Sequence, residues 1–296
     1  MGKSKRTLSF LACVLAFTAC SDATGPRSAE DALPRPGVGV CYSDCGCGPV
    51  VSPTPPDTSA PQLDSPPKLV NRTYIWSLIT ERYPRDLTAD AALLAQYDVD
   101  YVFAPEESEI YPPGFATYVY VEGVSEGLEG ASRPGHFRGV ATIVSILFNA
   151  VRPDLAFFGQ KDAQQVAVIK RMTTDLGFET EIVVVPTVRE ESGLALSSRN
   201  RILSPEERNK AAVIFAALRD AKVAFKQGER NAAKLIEMVQ GRIASEPLAT
   251  IDYISIVDSR TLEPIEKVGE TETLIATAVR FGTVRLIDNI VLNRGQ

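Results

Sequence analysis

Residues 155–158, Leu-Ala-Phe-Phe, and residues 182–185, Ile-Val-Val-Val, are short continuous apolar runs separated by a helical pattern over 162–176 that Gly177 closes. A strand with one wet face alternates apolar and polar residues, so uninterrupted runs mark strands buried on both faces. With a helix between them, the two strands belong to a parallel sheet covered by helices on both sides. The same alternation recurs upstream. Leu87, Ala91 and Leu94 give helical spacing over 86–97, residues 99–104 read as a strand and residues 115–121 as a second extended run. A strongly apolar helix over 137–151 follows the breaker Pro134-Gly135, and residues 75–79 form one more strand candidate. The fold class is therefore α/β.

Beyond Arg201 the pattern changes. Ser204 with Glu207 makes a capping box that opens a helix expected to reach about Lys226 and to stop at Gly228. A second helix is expected over 231–244, then strands over 251–257, 273–279 and 284–292. Helices followed by strands predict a small α+β domain, and no internal repeat is apparent.

Two turns carry the chemistry. In Phe157-Phe158-Gly159-Gln160-Lys161-Asp162-Ala163-Gln164-Gln165, backbone N–H groups and the Lys161 ammonium converge where a strand becomes a helix, which suits an anion. In residues 194–201, Leu-Ala-Leu-Ser-Ser-Arg-Asn-Arg, the hydroxyls of Ser197 and Ser198 and the guanidinium of Arg199 suit phosphate oxygens. Together they read as two halves of an ATP-handling site. Taken alone, Lys161 and Asp162 also read as a solvated turn with Asp162 capping the helix. His136, the only histidine, precedes an apolar helix and fits capping or packing as well as proton transfer. Arg133, Arg138 and Arg189 are read as structural or electrostatic, and these four residues stay outside the catalytic set.

From Arg82-Tyr83-Pro84-Arg85-Asp86-Leu87 to Arg285-Leu286-Ile287-Asp288-Asn289 the chain resembles the pantothenate synthetase, or pantoate–β-alanine ligase, family. The likeness includes both turns, the segment 130–140 (Gly-Ala-Ser-Arg-Pro-Gly-His-Phe-Arg-Gly-Val) and the segment 185–190 (Val-Pro-Thr-Val-Arg-Glu), in the family's order. It implies a partial Rossmann-like parallel sheet of nucleotidyltransferase type over 82–190. A small α+β domain over 191–296 would fold over the ATP site. It further implies an ATP-dependent ligation of pantoate to β-alanine through a pantoyl adenylate, aided by Mg2+, in a cytoplasmic homodimer. By resemblance Gly159, Gln160, Lys161 and Asp162 contact the nucleotide, with Lys161 neutralising phosphate charge and Asp162 near the ribose. Gln165 hydrogen-bonds pantoate, and Val188 and Leu196 border the nucleotide through backbone groups. Ser197, Ser198 and Arg199 close on the phosphates; Lys161 and Arg199 form the catalytic pair, and no protein metal ligand is implied.

Family members open with a strand and a turn, Met-Gly-x-Leu-His-x-Gly-His, whose histidines and helix N-terminus contact the triphosphate. A Gln after their second strand holds pantoate. Neither is matched here, so the chain is expected to be N-terminally truncated, impaired in activity and short of the strand that such a sheet places centrally.

The N-terminus has a different character. Lys3, Lys5 and Arg6 precede an apolar run from Leu8 to Ala19 and then Cys20, the order of a lipoprotein-like signal over 1–20, with membrane anchoring expected through Cys20. Residues 21–81 read as a disordered Pro- and Ser-rich tether and junction, where Cys41, Cys45 and Cys47 suit a disulfide with a spare thiol, or a metal. The export signal conflicts with a cytoplasmic enzyme. A non-catalytic lipid-anchored protein or a chimeric reading frame is therefore the alternative reading. A net charge of −6 and a pI near 5.1 argue against a general nucleic-acid binder, which needs a basic face.

Overall fold

The structure is a computed structural model that describes residues 12–15, 74–76, 91–92, 94–97, 99, 101–103 and 105–293. The expectations for Cys20, for residues 21–73 and for the start of the 86–97 helix lie outside the described residues. Five parallel strands form the first sheet: β1 (Ala12–Leu15), β2 (Tyr74–Trp76), β3 (Tyr101–Phe103), β4 (Leu155–Gly159) and β5 (Glu181–Val185), in the order β3-β2-β1-β4-β5. The sequence pattern leaves the centre of this sheet empty. In the structure β1 holds it, pairing Cys13 with Tyr74 on one side and with Ala156 on the other. The strand comes from within the apolar run of the signal-like segment.

Between these strands the helices are α1 (Glu107–Ile110), α2 (Leu128–Ser132), α3 (His136–Val151) and α4 (Ala163–Asp175). Gly135, at φ 79°, turns the chain into α3. The buried side of α3 presents Phe137, Val144 and Phe148 to Phe158 of β4 and to Val168, Ile169 and Met172 of α4 in one apolar core. Gly177, at φ 65°, lets the chain leave α4 and return as β5. The extended run over 115–121 joins no ladder. Tyr118 and Tyr120 are exposed while Val121 is buried, and the Val119 N–H donates to Thr142 Oγ1 of α3 at 2.9 Å instead of to a strand.

The C-terminal part contains α5 (Pro205–Lys210), α6 (Val213–Lys226), α7 (Ala232–Ala244) and an antiparallel sheet β6 (Ala249–Asp258), β7 (Thr273–Phe281), β8 (Val284–Leu292) in that order. Ser204 and Glu207 form the capping box, each side chain bonding the other's backbone N–H. The single helix expected over 204–226 is two, because a turn at Ala211 and Ala212 re-aims the chain so that Ile214, Leu218 and Phe225 face the core. These meet Leu235, Val239 and Ile243 of α7 and Ile275, Val279 and Phe281 of β7 in a second core. A smaller apolar cluster, Val257, Leu274 and Ala276 against Leu128 and Ala163, seats the antiparallel sheet on the first turn of α4. Among the described residues no helix is long and apolar enough to cross a membrane.

Candidate functional site

The site grows from the point where β4 becomes α4. Gly159 ends the strand, Gln160–Asp162 make one 3-10 turn, and Ala163 opens the helix. Asp162 occupies the N-cap place, yet its carboxylate makes no capping bond. It stands 3.9 Å from Lys161 Nζ, and both side chains are 20% exposed, so this is not a solvated turn. Burial raises the Asp162 pKa, opposed by Lys161 and Arg199.

Two adjoining cavities, of about 40 and 140 Å³, share Glu129, Arg133, Lys161, Asp162 and Asp288 in their walls. Gln165, one turn along α4 from Lys161 and 8% exposed, lines the first together with His136 and Tyr253. Leu196, Ser197, Arg199 and Arg285 line the second. Ser197 Oγ accepts the Arg199 N–H at 3.3 Å and so starts the 3-10 turn Ser198–Arg201, while Arg199 Nη1 donates to the Arg285 carbonyl at 3.0 Å. Asn200 and Arg208 both bond the Glu190 carboxylate, which ties this loop to the segment after β5.

Not every expected residue reaches the cavity walls. Gly159, Gln160, Val188 and Ser198 lie outside them. Gln160 turns its side chain to Asn289, and Val188 is 62% exposed with its carbonyl accepting the Leu196 N–H at 2.9 Å. Beside Val188, Thr187 Oγ1 is buried and makes no hydrogen bond to another described residue.

Sequence reasoning missed several wall residues. Glu129 accepts two bonds from Arg285, Nη1 to Oε2 at 2.6 Å and Nη2 to Oε1 at 2.8 Å, and a third from the Tyr253 hydroxyl at 3.0 Å. Burial and then Glu129 raise the Tyr253 pKa, so its hydroxyl stays protonated and donates. Leu128, just before Glu129, is held in the left-handed region at φ 51°. The buried Gln164 carboxamide grips both sides of it, accepting the Glu129 N–H at 2.8 Å and donating to Gly127 O at 2.8 Å and Val124 O at 3.0 Å. Arg133 Nη1 lies 3.2 Å from His136 Nε2. Burial first, then the charge of Arg133, lowers the His136 pKa from 6.5 to about 4, so the ring is neutral at pH 7 and Nε2 accepts. Arg133, His136 and Arg285 lie in the matched segments 130–140 and 285–289, whereas Glu129 and Tyr253 lie outside both and carried no local signal.

Lys161, Arg133 and Arg199 thus point cationic groups at one cleft whose anionic walls are Glu129, Asp162 and Asp288. Such a cleft can hold a polyanion against fixed charge, with a small polar acid beside it at Gln165.

A family model described as Pantoate-beta-alanine ligase matches residues 79–291. The pantothenate synthetase of Heliobacterium modesticaldum is 56% identical over 210 residues, covering 71% of this chain and 74% of that protein. That of Moorella thermoacetica is 55% identical over 211 residues, 71% and 74% of the two chains. The crystal structure of pantothenate synthetase from Thermus thermophilus aligns with a TM-score of 0.70 at 45% identity, covering 75% of this chain and 83% of that one. The pantoate-beta-alanine ligase of Francisella tularensis, solved with beta-gamma ATP and beta-alanine, aligns with a TM-score of 0.58 at 31% identity, over 75% and 80%.

Proposed function

Since this chain belongs to the pantoate–β-alanine ligase family, we propose that its cleft binds ATP and pantoate and directs their condensation with β-alanine. The observation that carries this reading is that Lys161 and Asp162 wall both cavities, one shared with Gln165 and the other with Ser197 and Arg199. A carboxylate held at Gln165 and a triphosphate held between Lys161 and Arg199 would meet there. The pantoate carboxylate attacks the α-phosphorus and expels pyrophosphate, giving the acyl adenylate. The β-alanine amine then attacks the acyl carbon, loses a proton and expels AMP. Little covalent side-chain chemistry is required: Lys161, Arg199, Ser197 and Ser198 neutralise and orient phosphate oxygens, and Gln165 orients the acid. Asp162 faces the ribose, while Gly159, Gln160, Val188 and Leu196 border the nucleotide.

Magnesium fits this site as an ion carried on the ATP phosphates. Among the described residues no three His, Cys, Asp or Glu side chains converge as a metal cluster. Mg2+ on a nucleotide keeps several waters and is held chiefly by the phosphates, so it needs no protein cage, which suits a wall whose Glu129 is already taken by Arg285 and Tyr253. The ion would spread the charge that builds on the phosphates.

The proposed enzyme is a cytoplasmic homodimer working at reduced rate. His136 is the only histidine, and it lies on the α3 side of the cleft, so the phosphate contacts made by the histidine pair of the family's front motif have no counterpart. The N-terminal pattern ending at Cys20 favours a second reading, a lipid-anchored, non-catalytic product of a chimeric frame. Coupled assay of AMP release and direct detection of pantothenate test both. The expected result is slow product formation that requires ATP and β-alanine and rises when a family front segment is joined at Arg82. A chain that turns over at a full family rate contradicts the impairment, and a folded graft that stays inert contradicts the assignment.

A further inference from the structure

The turn that carries Lys161 is not fixed by its own sequence. Gln160–Asp162 is a single 3-10 turn, and neither it nor α4 has a side-chain cap. What holds it comes from the other sheet. Asn289 of the edge strand β8 is 5% exposed, and its Nδ2 donates to Gln160 O at 3.0 Å and to Lys161 O at 2.9 Å. Its Oδ1 accepts from Gln160 Nε2 at 3.0 Å. Both amide protons and the carbonyl are therefore spent on two consecutive residues, one of which is Lys161. The preceding residue, Asp288, pairs with Arg189 through bonds of 2.6 and 2.9 Å and so fixes the segment after β5.

We propose that Asn289 is the positioning residue of the nucleotide site: by clamping the carbonyls of Gln160 and Lys161 it sets where the lysine enters the cleft. Seating of the C-terminal sheet and ordering of the phosphate-binding turn are then linked, because one carboxamide contributes to both. Only asparagine meets the geometry. Aspartate has no protons for the two carbonyls and sets a negative charge against them, leucine has no polar atoms, and glutamine is one methylene longer. The inference rests on the reading of Lys161 as a phosphate ligand.

The test uses the full chain and its Asn289→Asp, Asn289→Ala and Lys161→Ala variants, with ATP titrated calorimetrically and amide exchange followed across 159–165. Losing two bonds from donors to half-buried carbonyls should weaken ATP binding on the order of 10- to 100-fold in Asn289→Asp and somewhat less in Asn289→Ala. Exchange at residues 160–162 should rise by a similar factor in ligand-free protein, while exchange in α7 stays at the wild-type level. That local pattern separates positioning from general destabilisation, which would raise exchange in α7 as well. Wild-type ATP affinity in both Asn289 variants, or unchanged exchange at 160–162, overturns the proposal. Failure of the wild-type chain to bind ATP overturns the nucleotide reading and this inference with it, whereas binding that falls in Lys161→Ala but not in the Asn289 variants overturns this inference alone.

Discussion

Replacing Arg285 by methionine keeps most of the side-chain volume and removes the charge that joins the antiparallel sheet to helix α2. Arg285 is 9% exposed at its side chain and Glu129 11%, so the pair is nearly dry. Its guanidinium donates twice to Glu129 and, through Nε, to Asp252 Oδ2 at 2.6 Å. Burial alone would lower the Arg285 pKa, but the bonds to Glu129 and Asp252 outweigh it and hold the value above the usual one. Without Arg285, Glu129 keeps the Tyr253 hydroxyl and loses its counter-charge. Breaking one partner of a buried pair costs about 3–5 kcal/mol, a large share of a total stability of roughly 5–15 kcal/mol. For a chain of this size that is a fall in Tm of about 6–20 °C. The double variant Glu129→Gln with Arg285→Met removes the stranded charge and should recover at least half the loss, since the penalty lies in the uncompensated carboxylate. Scanning calorimetry of the four-member cycle measures this. A loss in Arg285→Met below about 1 kcal/mol, or strict additivity in the double variant, refutes the account of a buried pair that seats the C-terminal sheet.

His136 should titrate near pH 4, and as the only histidine it gives the only imidazole signals in a proton NMR titration. Because its folded pKa lies below the unfolded 6.5, its contribution is complete above pH 6.5 and is lost as pH falls to about 4, by at most about 3 kcal/mol; a measured value of 6 or more contradicts the buried, Arg133-facing ring. Asp252 behaves alike in the acid range: burial works to raise its pKa, but the bonds from Arg285 and Arg280 leave it lowered. Its share of stability is therefore present above the unfolded value near 3.8 and fades below it, and Asp252→Asn should flatten that part of the profile. Deleting residues 1–19, as processing before Cys20 would, removes β1 from between β2 and β4. The shortened chain should melt at lower temperature and bind a dye for exposed apolar surface; an unchanged melting curve would show that β1 contributes nothing.

Strand β4, helix α4 and strand β5 were legible because each carries its own signal: unbroken apolar residues, helical spacing and a glycine at the exit. The same holds for the capping box and for α3. Residues 115–121 misled because Tyr118, Val119, Tyr120 and Val121 suit a strand in composition, while their hydrogen bonding is settled by Thr142 on a distant helix. The turn at Ala211 and Ala212 sits between two helix-favouring runs and has no Gly or Pro to mark it. Lys161, Gln165, Ser197 and Arg199 were found because local motifs carry them. The residues that join the two parts were not. Glu129 and Arg285 are 156 positions apart, and Asn289 and Gln160 are 129 apart, so no spacing rule connects them. A carboxamide that serves two backbone carbonyls looks in sequence like any other Asn in a strand.

ATP titration of the full chain and its Lys161→Ala and Gln165→Ala variants tests most directly whether the cleft divides into a phosphate side and an acid side about Lys161. The account predicts saturable ATP binding by the wild-type chain. Binding should fall by about 10–100-fold in Lys161→Ala, where a charged contact to buried phosphate is lost, and stay within about threefold of wild type in Gln165→Ala. Equal losses in the two variants, or ATP affinity indifferent to Lys161, would contradict it.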